Sequence, residues 1–117
     1  MDDRLRVAVV GGRDFKDEQQ LKNVLDELNP RPTQIISGGA KGADTLAKKY
    51  ADSNNIICTV VPARWELYGR AAGPIRNKEI VRLSDIVIAF WDGKSRGTKN
   101  TINTAKQYRK TLAVHKY

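Results

Sequence analysis

The sequence predicts an α/β fold, a three-layer αβα sandwich around a mainly parallel sheet of about five strands. Three observations predict it. Short apolar runs rich in β-branched residues alternate with segments of helical periodicity along the whole chain. The 117 residues, 40% of them apolar, suffice for one hydrophobic core but not for two ordinary domains, so residues 1–117 are expected to form a single domain. The glycine-rich segments all follow predicted strands directly, which collects them on one edge of such a sheet.

Taken in order, Leu5 to Val10 is a β-branched run stopped by Gly11-Gly12 and reads as the first strand. After Asp17-Glu18, residues Leu21, Val24, Leu25 and Leu28 recur at three and four, a helical stripe that Asn29-Pro30 ends. Gln34 to Ser37 is a short second strand. Beyond Gly38-Gly39, residues Ala43, Leu46, Ala47, Tyr50 and Ala51 share one helix face, closed by Asn54-Asn55. Ile56 to Val61 is the third strand. Periodicity is poor from Pro62 to Pro74, where a long functional loop is expected. A third helix then runs from Pro74 or Ile75 to Leu83, with the proline in its first turn. Asp85 to Phe90, apolar on both alternating faces, reads as a central strand. Thr98 to Tyr108 is a helix carrying Ile102, Ala105 and Tyr108, and Thr111 to His115 is a last short strand. Strict alternation with right-handed crossovers makes the arrangement Rossmann-like.

Asp2, Asp3, Arg4 and Arg6 interrupt any apolar N-terminal run, and no segment is apolar for the roughly 18 residues of a membrane span, so a cytoplasmic location without membrane association is expected. The lone cysteine, Cys58, sits in an apolar stretch and reads as a buried structural thiol. His115 reads as structural or exposed, and neither residue has metal-ligand spacing; no metal or cofactor is expected. The formal charge of +8 attracts anions. Its densest group is Arg64, Arg70, Arg76, Lys78, Lys94, Arg96 and Lys99, which as a solvated surface would need no ligand.

The segment from Ser37 to Asp44 couples a strand end to a helix start, where free backbone amides favour an anion. Gly38, Gly39 and Gly42 allow close approach, Lys41 adds a point charge, and Asp44 can accept hydrogen bonds from ribose hydroxyls. The same glycines also serve a plain turn, and Asp44 stabilises a helix start without any ligand. This is neither a Walker loop nor a Gly-x-Gly-x-x-Gly fingerprint. Gly93 to Thr98 repeats the logic, with Gly97-Thr98 opening a helix and Thr98 as cap, phosphate ligand or both. Between them, Arg76 suits bidentate recognition of phosphate or carboxylate, and Asn77 offers an amide. Trp65 and Tyr68 can stack on a base or pack as lid residues, whereas Trp91 extends a buried strand and is assigned to the core.

In this order, Gly12-Arg13-Asp14-Phe15, Ser37 to Asp44, Pro62-Ala63-Arg64-Trp65, Gly73-Pro74-Ile75-Arg76-Asn77 and Ala89 to Gly93 running into Gly97-Thr98 resemble the SLOG superfamily. That Rossmann-like group includes the LOG phosphoribohydrolases and DprA; the resemblance is closest to its YspA-like, YpsA-related bacterial and phage branch and spans nearly the whole chain. It implies a nucleotide or nucleotide-derived ligand held across the two glycine loops, by a sensor or a processing protein, and a homodimer, since members commonly pair. LOG-type hydrolases carry a catalytic glutamate shortly after their Gly-Thr. Here Lys99, Asn100 and Thr101 follow, so Asp14, Asp44, Glu66 or Asp92 would have to substitute.

The expected ligand set is therefore Gly12, Arg13, Ser37, Gly38, Gly39, Lys41, Gly42, Asp44, Arg64, Trp65, Arg76, Asn77, Asp92, Gly97 and Thr98, with Asp44, Arg76 and Glu66 as catalytic candidates. The leading expectation is a module that binds a nucleotide-derived small molecule. The alternatives are a LOG-like nucleoside monophosphate N-glycosidase and, less favoured, a DprA-like binder of single-stranded nucleic acid.

Overall fold

A computed structural model describes residues 4–117; Asp2 and Asp3, which bear on the N-terminal apolar run, lie outside them. The strands are β1 (Arg6–Gly11), β2 (Gln34–Ser37), β3 (Ile57–Val60), β4 (Ile86–Trp91) and β5 (Thr111–Lys116), and the helices are α1 (Glu18–Asp26), α2 (Ala43–Ser53), α3 (Trp65–Tyr68), α4 (Ala72–Leu83) and α5 (Arg96–Gln107). The sheet runs β3-β2-β1-β4-β5 and every pair is parallel. Val7 stands beside Ile35 on one side and Ile86 on the other.

Both faces of the sheet are covered, because the inner strands carry apolar residues on both faces. Val7, Val9, Ile35, Ile88 and Phe90 pack under α1 and α2 with Leu21, Leu25, Ala47 and Tyr50. Ala8, Val10, Ile36, Val87 and Ala89 pack under α4 and α5 with Ile80, Val81, Ile102 and Ala105. The chain winds outward from β1 to β3 through α1 and α2, then α4 carries it back across β1 to β4. The winding direction reverses between β1 and β4, and that reversal opens a crevice at the C-terminal ends of the two strands.

The Rossmann-like sandwich with five strands is as the sequence predicts; most element ends shift by a residue or two, and three differences bear on the site and its strands. Pro62 to Pro74 is not one long loop: α3 and a 3₁₀ turn at Gly69–Ala71 occupy it, and α4 begins at Ala72. No residue of α3 is buried, so it leaves no apolar stripe to read, and Pro74 sits in the first turn of α4 where its missing N–H costs nothing. Helix α5 starts at Arg96, two residues before Thr98, with Ser95 as its N-cap accepting from the Thr98 N–H at 3.4 Å. Asp85 does not join β4; its carboxylate accepts from the Arg6 N–H at 2.9 Å and pairs with the Arg6 guanidinium.

Cys58 is only half-buried, because β3 is an edge strand, and burial still pushes its thiol pKa up, away from thiolate chemistry. Trp91 is likewise half-buried, with its indole N–H donated to the Ser95 carbonyl. His115 stacks on Phe90. Among the described residues no helix is long and apolar enough to cross a membrane, and no group of three or more His, Cys, Asp or Glu is placed to hold a metal ion.

Candidate functional site

A cleft of about 660 Å³ opens at the C-terminal ends of β1, β2 and β4, at the reversal of the winding. Its walls come from four parts of the chain that the sequence keeps far apart: the turn after β1, the turn joining β2 to α2, the first turns of α4, and the first turns of α5.

The first two turns are locked together. Gly12 is buried, and its carbonyl accepts from both the Phe15 and Ala43 N–H groups at 3.3 Å. Gly42 has φ of 74°, and a Cβ there would collide with the Gly12 and Arg13 backbone, so only glycine lets the two turns touch. Asp44, in the first turn of α2, is 8% exposed and accepts from the Ala40 N–H at 2.9 Å. Burial raises its pKa, opposed by the Ala40 N–H, the Arg76 charge and the Gly38 N–H.

Helix α4 ties the second turn to α5. Arg76 donates from Nη1 to the Gly38 carbonyl at 3.0 Å and from Nε to Asn77 Oδ1 at 3.0 Å. Buried Asn77 donates to Asn100 Oδ1 at 3.0 Å and to the Gly97 carbonyl at 3.4 Å. Asn77 therefore spends its amide on protein partners and acts as a brace, while Arg76 lines the cleft. At the mouth of α5, Asp92 accepts from the Lys94 and Ser95 N–H groups at 2.8 Å each, and these two bonds, the Ser95 one foremost, hold its carboxyl below the usual range. Thr98 is buried, with its hydroxyl 3.1 Å from that of Ser95.

Of the expected ligand set, Gly12, Arg13, Gly38, Asp44, Trp65, Arg76, Asn77, Asp92, Gly97 and Thr98 line the cleft. Ser37, Gly39, Lys41, Gly42 and Arg64 do not. Ser37 is buried within β2, Gly39 turns outward against Val60, and Arg64 lines a smaller surface hollow with Tyr68 and Ile75 on the far side of Arg76. Among the catalytic candidates, Asp44 and Arg76 line the cleft, whereas Glu66 is exposed on α3 outside it. Asp14 lines it too, with one carboxylate oxygen accepting from the Tyr117 hydroxyl at 2.6 Å.

Sequence reasoning missed Arg70, Ser95, Arg96, Asn100 and Thr101 as cleft residues. Helical spacing holds a signal for the last two: counted from Gly97, they are three and four residues on and share its face of α5. Arg70 stands out in sequence only as a member of a basic group, and Arg96 stands in the second glycine segment as well, but neither fact says where the side chains point.

Known proteins of similar sequence and shape agree with this architecture. The chain is 35% identical over 111 residues to the Gene 61 protein of Mycobacterium phage D29, covering 87% of this chain and 89% of that protein. Its fold superposes on DNA processing protein A (DprA) from Streptococcus pneumoniae with a TM-score of 0.79 at 24% identity, over 95% of this chain and 50% of that one. DprA from Helicobacter pylori, whose structure describes that protein's single-stranded DNA binding mode, matches with a TM-score of 0.76 at 23% identity, over 96% of this chain and 65% of the other. This chain thus spans less than two thirds of either DprA structure, and the likeness to them is one of fold. The model of the YspA, cpYpsA-related SLOG family matches residues 5–68, from the end preceding β1 through α3, and the chain belongs to that family.

Proposed function

We propose that this protein binds a nucleotide-derived, phosphate-bearing small molecule in the cleft, in the cytoplasm where such molecules are found. The observation that carries the reading is the bridge from Gly38 through Arg76 and Asn77 to Gly97, which holds two glycine turns from separate strands against one cavity. The amide of Gly97 and the guanidinium of Arg76 take the phosphate, because the start of α5 combines a free donor with a favourable dipole. Asp44 accepts from ribose hydroxyls, and the exposed ring of Trp65 stacks on the base. Gly39, Lys41 and Arg64 have no part in this version, since they lie outside the cleft.

The test is thermal stabilisation by a panel of nucleoside monophosphates, NAD, ADP-ribose and cyclic nucleotides, since a ligand that binds the folded state raises the melting temperature by mass action. A stabilising ligand should lose its effect with Arg76→Ala and with Gly97→Asp. If both variants respond like wild type, the site assignment is wrong.

Two other readings have an observation each. A nucleotide N-glycosidase is favoured by Asp44, a buried carboxyl of raised pKa on the cleft wall and so suited to proton donation; release of free base, abolished by Asp44→Asn, is its mark. Single-stranded nucleic-acid binding is favoured by the open, arginine-lined cleft and the charge of +8, and it predicts affinity that falls steeply with salt.

A further inference from the structure

We infer that the cleft selects ligands with two linked phosphates over those with one, the outer phosphate being held by Arg70; this rests on the nucleotide reading above. Four arginines, Arg13, Arg70, Arg76 and Arg96, line the one cleft. None of them belongs to an ion pair among the described residues, whereas Arg6, Arg31 and Arg82, which lie elsewhere, each have an acidic partner.

The cleft's three carboxylates offset part of this charge, yet none of them forms an ion pair with any of the four arginines among the described residues; each is held by donors of its own. Asp14 accepts from the Tyr117 hydroxyl, Asp44 from the Ala40 N–H, and Asp92 from two backbone N–H groups. Four arginines against three carboxylates leave the hollow with an excess of positive charge, and arginines free of ion pairs raise its affinity for a polyanion. A single phosphate, with at most two negative charges and room for one or two bidentate contacts, leaves part of that set unmatched.

The arginines also stand apart in the fold. Arg13 and Arg96 follow the adjacent strands β1 and β4, and Arg96 opens α5, where the first phosphate is assigned. Arg70 comes from the opposite side, in the turn after α3 that continues from edge strand β3. No residue from 64 to 71 is buried, and Gly69, at φ of 54°, has nothing within 4 Å of where a Cβ would stand. The segment bearing Arg70 and Trp65 is thus lightly held and free to settle on the part of a ligand that projects beyond the first phosphate. A pyrophosphate bridges the two sides; a monophosphate reaches one.

The experiment is calorimetric titration of the full chain with each of the four common ribonucleosides, as monophosphate and as diphosphate, at near-physiological salt. For the preferred nucleoside the diphosphate should bind about tenfold or more tighter than the monophosphate. Arg70→Ala should shrink that ratio to about threefold or less while leaving monophosphate affinity within about twofold. Lys106→Ala removes the same charge from the far end of α5 and should change neither value. Equal affinity for both forms, or equal weakening of both by Arg70→Ala, overturns this inference and leaves the nucleotide reading standing. If no mono- or diphosphate binds wild type, this inference fails, and the nucleotide reading fails with it only if NAD, ADP-ribose and cyclic nucleotides also leave the melting temperature unchanged.

Discussion

Arg76 reaches from α4 to the Gly38 carbonyl across 3.0 Å, so an arginine that lines the cleft also fixes the turn on which the cleft depends. A residue in that position has two duties, and substitution separates them. Arg76→Lys keeps the charge but cannot bond Gly38 and Asn77 at once. Both Arg76→Lys and Arg76→Ala should weaken nucleotide binding by about tenfold or more, with lysine recovering only part of the loss. Full recovery by lysine would mean that charge alone matters, and calorimetry decides.

Two glycines should respond in opposite ways to alanine. Gly42 combines φ of 74° with a Cβ position already filled by the Gly12 and Arg13 backbone, so Gly42→Ala should destabilise by about 2–4 kcal/mol. Gly97 lies inside the first turn of α5 with open space around its Cβ position. Gly97→Ala should therefore stabilise the protein by up to about 1 kcal/mol while lowering affinity for a phosphate ligand. Urea unfolding with and without ligand measures both.

Asp44 gives stability a particular dependence on pH. Burial raises its folded pKa above the ordinary 3.8, so the folded state holds the proton longer than the unfolded one. Its contribution is then most favourable below 3.8 and declines as pH rises through the raised value. Asp44→Asn should remove that decline: between about pH 4 and pH 7, the melting temperature of wild type should fall relative to the variant. A parallel course for the two proteins would contradict the assignment.

Asp85 works in the opposite sense. Its hydrogen bonds with the Arg6 side chain, and then with the Arg6 N–H, lower its pKa below 3.8. The stability it provides is full above 3.8 and is lost as pH falls through the lower, folded value. The pair is partly exposed and screened by water, so Asp85→Ala should cost only about 1 kcal/mol at neutral pH, chiefly the acceptor for the Arg6 N–H. The gap from wild type should close in acid, as read by thermal unfolding.

Trp65 is 57% exposed on the cleft wall. Trp65→Ala should leave unfolding stability within about 0.5 kcal/mol, because little packing is lost. It should weaken nucleotide binding by about 1–3 kcal/mol if a base stacks there. With Trp91→Phe as background, quenching of the remaining tryptophan by ligand follows the same event directly.

What the sequence by itself determined was the alternation of strand and helix. The β-branched runs at β1 and β4, the helical spacing of Leu21 and Leu25 in α1, and glycines directly after strands admit little besides a parallel sheet with its special turns on one edge. Those are local properties, written in periodicity and in backbone freedom. Only tertiary structure decided which side chains share the cleft. Lys41 and Arg64 sit in the most conspicuous segments yet lie outside it, while Arg70, Arg96 and Asn100 are inside. Side-chain direction there depends on where α4 recrosses the sheet and on Asn77 meeting Asn100 from another helix, and contacts between distant segments leave no periodic trace in the chain.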